Sequence, residues 1–187
     1  MPLWLTNYLK CHKMCINTLD SSTKMEKPKL IAFDLDYTLW PFWVDTHVRP
    51  PFRKTPEGAV KDSRDEKVKF YPEVPEVLKT LHQQGYILAV ASRTPETAGA
   101  NQLLKLFDWD KYFNYKEIYP GCKDKHFKQI QKNSGLQFSE MLFFDDEQRN
   151  IVDLSALGVT SILVDGGVTK DVVLQGLNKY RNEHCKK

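Results

Sequence analysis

Short, unbroken apolar runs alternate along this chain with longer segments whose apolar residues recur every three to four positions. The runs predict buried strands and the spaced segments predict amphipathic helices. The first run, residues 29–33 (KLIAF), ends in two acids, Asp34 and Asp36. Val74, Val77, Leu78 and Leu81, with Pro75 near the start and Gly85 at the end, predict a helix over 74–85. A second strand follows at 86–92 (YILAVAS). Thr94 as N-cap and Pro95 at the first helical position predict a helix over 94–107. A short third strand (KEIY, 116–119) precedes an amphipathic helix over 123–135, closed by Gly135. The fourth strand (MLFF, 141–144) runs into Asp145 and Asp146. A helix over 148–158, a fifth strand over 159–164 and a final helix over 169–182 complete the pattern.

Apolar strands that alternate with helices need cover on both faces, which predicts an α/β fold with a mostly parallel five-stranded sheet. Right-handed crossovers place every strand's carboxyl end on one edge, where such folds bind ligands. Residues 40–72 break the alternation with Pro, charge and aromatics. Within them VDTHV and KVKFY each alternate, so a small β-hairpin flap is expected there. Residues 1–26 match neither a secretory signal nor an Arg-rich transit peptide. They are read as a disordered extension, or as an upstream start with Met25 as the functional one, ahead of a single domain over 27–187.

Composition narrows the partners. The 187 residues suffice for one core, and a net charge of +3 with scattered Lys and Arg argues against nucleic acid. No apolar run approaches the ~20 residues of a membrane span. Four cysteines, with only Cys11 and Cys15 close together, argue against zinc and for a reduced, cytoplasmic setting. A monomer is expected.

Four polar features fall at predicted strand ends: Asp34 and Asp36, Ser92 and Arg93, Lys123, and Asp145 and Asp146. Singly each has an ordinary explanation, as a turn, a helix cap or a solvated charge. Together they gather on the edge where the fold builds a site. Converging carboxylates repel unless a cation lies between them, and all-oxygen ligands with phosphate suit Mg²⁺. An aspartate with an ordinary pKa near ~4 is ionised at neutrality and can attack phosphorus unaided. Four acids against Mg²⁺ and Lys123 leave one negative charge, which a proton on one carboxyl cancels. Asp36 is the candidate to carry it, so Asp34 attacks and Asp36 shuttles the proton.

These residues resemble the haloacid dehalogenase (HAD) superfamily of phosphatases: DLDYT, ASR, Lys123 and FFDDEQRN occur in that order from Leu30 to about Asp165. More narrowly, FDLDYTLWPFWVDTHV, YPEVPEVL, ASRT, GANQLL, EIYPG and FFDDE are similar to the small eukaryotic magnesium-dependent phosphatase family. The resemblance implies a three-layer Rossmann-like fold, with Asp34 as nucleophile and Asp36 as proton donor. It implies Mg²⁺ held by the Asp34 carboxylate, the Asp36 carbonyl and Asp146, with Asp145 in support. Phosphate would meet the Leu35 N–H, Ser92, the Arg93 backbone and Lys123. Asn150 stands where a second acid is often found, which leaves that position without an assigned role.

Neither gap between the motifs holds a cap domain, so the cleft should be open. Trp40, Phe42 and Trp43 either line its rim or pack the hairpin onto the sheet, and His47 and Arg49 are read as surface residues. The implied substrates are protein phosphotyrosine and sugar phosphates such as fructosamine 6-phosphate. A phospho-accepting receiver module shares Asp, Mg²⁺, a hydroxyl residue and Lys. Its acid pair lies on the first strand and its Lys on the last, an order that counts against it here.

Overall fold

The computed structural model describes residues 27–185. The extension, with Cys11, Cys15 and Met25, lies outside the described residues. Five strands form one sheet in the order β5-β4-β1-β6-β7, every neighbouring pair parallel. They are β1 (Leu30–Phe33), β4 (Ile87–Ser92), β5 (Tyr115–Ile118), β6 (Met141–Asp145) and β7 (Thr160–Leu163). The helices are α1 (Val74–Gln83), α2 (Thr97–Leu106), α3 (Lys123–Ser134), α4 (Gln148–Ala156) and α5 (Lys170–His184).

The two-residue period of the strands divides the core. Ile31, Phe33, Leu88, Val90, Leu142 and Phe144 face α1, α2 and α5, in a cluster with Val74, Val77, Leu78, Leu103 and Leu177. Leu30, Ala32, Ala89, Ala91, Met141 and Phe143 face α3 and α4, meeting Phe127, Ile130 and Leu154. The fold therefore has three layers. The first face is bulky, with Phe33 stacked on Phe144 at 5.3 Å. The second carries alanines, which leaves room for α3 to approach the sheet. Gly176 does the same for α5, where a Cβ would lie 2.6 Å from the Phe144 ring.

The hairpin exists, but not where the alternation placed it. Its strands are β2 (Arg53–Lys54) and β3 (Val60–Lys61), antiparallel around a turn containing Gly58. The VDTHV segment instead forms turns, and Lys67 makes only an isolated bridge to Lys61. Asp62 organises the region. Its buried carboxylate accepts the N–H groups of Arg49, Arg64 and Glu66 at 3.1, 2.9 and 3.0 Å. Phe52 fastens the flap to α2: its N–H donates to Gln102 Oε1 at 2.9 Å, and Gln102 Nε2 donates to its carbonyl at 2.8 Å.

Helix α2 begins three residues later than expected. Glu96, not Thr94, caps it, accepting the Gly99 N–H at 2.9 Å. Thr94 is buried beside the sheet edge, with its N–H directed at Ser92 Oγ at 3.4 Å. Among the described residues no helix is long and apolar enough to cross a membrane.

Candidate active site

Strand order sets the site. β1 is central, and the chain builds β4 and β5 on one side of it before crossing to β6 and β7 on the other. The carboxyl ends of β4, β1 and β6 thus lie side by side at the point where the strand order reverses. Asp34 follows β1 directly and stays in the ladder, its N–H donating to the Phe144 carbonyl at 2.9 Å. Ser92 is the last residue of β4, Asp145 the last of β6 and Lys123 the first of α3.

Asp34, Asp36, Ser92, Arg93, Lys123 and Asp146 all line one cleft of about 280 Å³, with Trp43, Asp45, Thr46, Glu147, Arg149 and Asn150. Leu35 lies between the two acids with its side chain in the core. Its carbonyl accepts the N–H groups of Thr38, Leu39 and Trp40, at 3.2, 2.8 and 3.3 Å, and turns the chain back on itself. Tyr37 pays for that turn with φ 52°, a left-handed conformation that costs a non-glycine residue about 1 kcal/mol.

Lys123 lies at the centre of the cluster. Its Nζ is 2.5 Å from Asp34 Oδ1 and 3.0 Å from Asp145 Oδ2, and it also donates to the Ala91 carbonyl. Burial favours discharging this ammonium, but the Asp34 and Asp145 charges overcome it and hold the proton above the usual lysine range. Burial pushes the Asp34 carboxyl well above its ordinary value, Lys123 only partly pulls it back and the Asp145 charge adds to the rise, so the ordinary carboxylate pKa expected from the sequence does not hold in the folded site.

Asp36 is separate from that pair. It accepts from Trp40 Nε1 at 2.7 Å and from the Val44 N–H at 3.3 Å, both on Oδ1. Burial raises it to about 6 despite these two donors, so a proton resides on it over a range reaching towards neutrality. The aromatic trio divides: Trp40 and Phe42 are buried and stacked 5.6 Å apart, and Trp43 stands 49% exposed.

Asp145 and Asp146 divide the motif between them. Asp145 is fully buried and committed to Lys123, to the Glu147 N–H at 2.8 Å and to Asn150 Nδ2, 2.9 and 3.1 Å from its two oxygens. Asp146 faces the cleft, and burial plus the Asp145 charge raise it to about 6. The cleft-lining oxygens that could meet a cation are hard ones, among them the carboxylates of Asp34 and Asp146. Among the described residues no three His, Cys, Asp or Glu side chains converge on their own. So few carboxylates suit an ion that retains water and takes phosphate oxygens, as Mg²⁺ does.

The motifs did not reveal Trp40 as a donor to Asp36, Asn150 as the brace of Asp145, or the charged rim. On that rim Glu147 Oε2 accepts from Arg149 Nε at 2.7 Å, Arg93 Nη1 at 3.1 Å and Asn150 Nδ2 at 3.3 Å. The Arg93 side chain also donates to the Gly121 carbonyl at 2.9 Å.

A parallel sheet between two helical layers, with an Asp-x-Asp after its central strand, a lysine bridging that acid to the motif at the adjacent strand end and, among the described residues, no cap beside the cleft, is the arrangement of a HAD-type hydrolase. The family model described as acid phosphatase matches residues 26–183, and the chain belongs to that family. The human protein named magnesium-dependent phosphatase 1 is 58% identical over 153 residues, spanning 82% of this chain and 87% of that protein. A HAD-like hydrolase superfamily protein of Schizosaccharomyces pombe is 42% identical over 147 residues, 73% of this chain and 85% of that one. The solved structure of a predicted phosphoglycolate phosphatase from Haemophilus somnus has the same fold, with TM-score 0.59, 19% identity, and 84% of this chain and 92% of that chain covered.

Proposed function

We propose that this chain is a Mg²⁺-dependent phosphomonoesterase that works through an aspartyl-phosphate, acting as a cytoplasmic monomer on phosphotyrosine or on sugar phosphates such as fructosamine 6-phosphate. One observation carries this reading: Lys123 Nζ, 89 residues from Asp34 in sequence, lies 2.5 Å from its carboxylate. A surface aspartate has no use for a buried ammonium. A carboxylate that must attack a dianion does, because the cation holds the incoming phosphate oxygens against it.

Asp34 and Asp146, with the Asp36 carbonyl, are the residues that would hold Mg²⁺. When bound, the ion neutralises charge on the phosphoryl oxygens and orients the group. Lys123, the Ser92 hydroxyl, the Leu35 N–H and the Arg93 backbone bind the same oxygens. An Asp34 oxygen attacks phosphorus as the ester P–O bond breaks. The electron pair goes to the leaving oxygen, which takes the Asp36 proton. Water then attacks the phosphorus of the aspartyl-phosphate, gives its proton to Asp36, and releases phosphate and the Asp34 carboxylate. Asp145 and Asn150 touch no substrate in this scheme and keep Lys123 in place.

The test is turnover of p-nitrophenyl phosphate by Asp34→Asn and Asp36→Asn with Mg²⁺ present. Asp34→Asn is expected to be inert while retaining its circular dichroism spectrum. Asp36→Asn is expected to trap acid-stable phosphoprotein after a short pulse. Full turnover by Asp34→Asn would sink the mechanism.

A further inference from the structure

We infer that His126 is a positioning residue for phosphate binding: its ring ties together the two ends of the loop 119–122 and so sets where Lys123, Ser92 and Arg93 meet the phosphate. This rests on the phosphomonoesterase reading above. His126 lies in the first turn of α3, fully buried, and is not part of the cleft wall.

Both ring nitrogens are committed to main chain. Nδ1 lies 2.9 Å from the Cys122 carbonyl and Nε2 lies 2.8 Å from the Tyr119 carbonyl. A carbonyl oxygen only accepts, so both nitrogens donate, which is the pattern of a doubly protonated ring. The imidazole also stacks on the Tyr119 ring, with centroids 4.2 Å apart and planes 8° from parallel. A position that needed only bulk would take a hydrocarbon side chain, without the cost of burying a polar ring. The two donors are what histidine adds here.

The loop they brace is where three of the phosphate-binding residues meet. The Tyr119 N–H donates to the Ser92 carbonyl at 3.1 Å, the Gly121 carbonyl accepts from Arg93 Nε at 2.9 Å, and Cys122 leads directly into Lys123. These groups come from the end of β4 and from this loop, whereas the carboxylates of Asp34 and Asp146 follow β1 and β6. The brace acts on the first set and not on the second. Without the ring's donors the Tyr119 carbonyl loses its partner on α3, and the loop is free to shift with Lys123.

The experiment measures two quantities in the intact chain, His126→Phe, His126→Asn and His126→Gln. One is the Ki of inorganic phosphate against p-nitrophenyl phosphate turnover, and the other is Mg²⁺ affinity by titration calorimetry. His126→Phe keeps the stack and removes both donors; His126→Asn keeps a donor for Cys122, and His126→Gln keeps one for Tyr119. In His126→Phe the Ki is expected to rise about ten-fold while Mg²⁺ affinity does not fall. His126→Asn and His126→Gln are expected to show smaller rises, and they carry the test where His126→Phe does not fold. An unchanged Ki in the folded variants overturns the inference, as does an equal weakening of phosphate and Mg²⁺, which marks general loosening. Failure of all three variants to fold also overturns it, by assigning His126 to the core alone. An intact chain that neither turns over the ester nor binds inorganic phosphate defeats the phosphatase reading itself, before His126 enters.

Discussion

Trp40 Nε1 donates to Asp36 Oδ1 at 2.7 Å, so a fully buried indole fixes the rotamer of the proposed proton donor. Replacing Trp40 with Phe keeps most of the packing and removes the hydrogen bond. The expected result is a roughly ten-fold fall in kcat on p-nitrophenyl phosphate with KM little changed. Steady-state kinetics beside a thermal melt separate this from unfolding. An unchanged kcat would mean that Asp36 needs no orienting.

Asn150 divides its amide donors between the two oxygens of Asp145. Asn150→Ala leaves that buried carboxylate with Lys123 and one backbone N–H, and a loss of about ten-fold in kcat is expected. Asn150→Asp is expected to be worse, about a hundred-fold, because a second acid beside a fully buried one competes for the Lys123 ammonium. Activity in Asn150→Asp above that of Asn150→Ala would instead assign this position to the metal.

Asp146 is the carboxylate of its pair that faces the cleft. Asp146→Asn is expected to weaken Mg²⁺ binding by about a hundred-fold or more, read by titration calorimetry, while the fold survives. Excess chelator is expected to abolish turnover by the unaltered chain. Equal Mg²⁺ affinity in Asp145→Asn and Asp146→Asn would remove the distinction drawn between them.

Asp62 gives a prediction about pH. Burial raises its carboxyl, but the N–H groups of Glu66, Arg49 and Arg64 and the Arg64 side chain outweigh that and hold it below the ordinary value. A carboxyl with a lowered folded pKa stabilises the fold above its unfolded pKa of about 3.9, and the contribution is lost as pH falls through the folded value. Asp62→Asn is therefore expected to melt roughly 5 °C below the unaltered chain at pH 7. The gap should narrow below about pH 4. A constant difference from pH 7 to pH 3 would show that the charge of Asp62 is idle.

The sheet was legible because β1, β4 and β6 are apolar up to the polar residue that ends β4 and β6, as strands covered on both faces require. The acids and Ser92 could be placed on one edge because a parallel sheet puts all its carboxyl ends together. Trp40 and Asn150 gave no comparable signal. Trp40 was open between cleft rim and hairpin packing, and Asn150 had no assigned role, until the tertiary fold set each beside a carboxylate. The hairpin strands were misplaced because Arg53–Lys54 and Val60–Lys61 are two residues each, too short to show a period. Tertiary packing also decided the start of α2, where Thr94 was drawn under the sheet edge and Glu96 was left to cap the helix.

The reciprocal amide pairing of Gln102 with Phe52 has a kinetic meaning. It ties the flap that carries Trp43, Asp45 and Thr46 to a helix of the main layer, so a wall of the cleft would stand in place before a substrate arrives. Under the proposed activity, large and small phosphate esters would meet that wall in one posture. The water that the proposed second step requires would meet the same fixed wall.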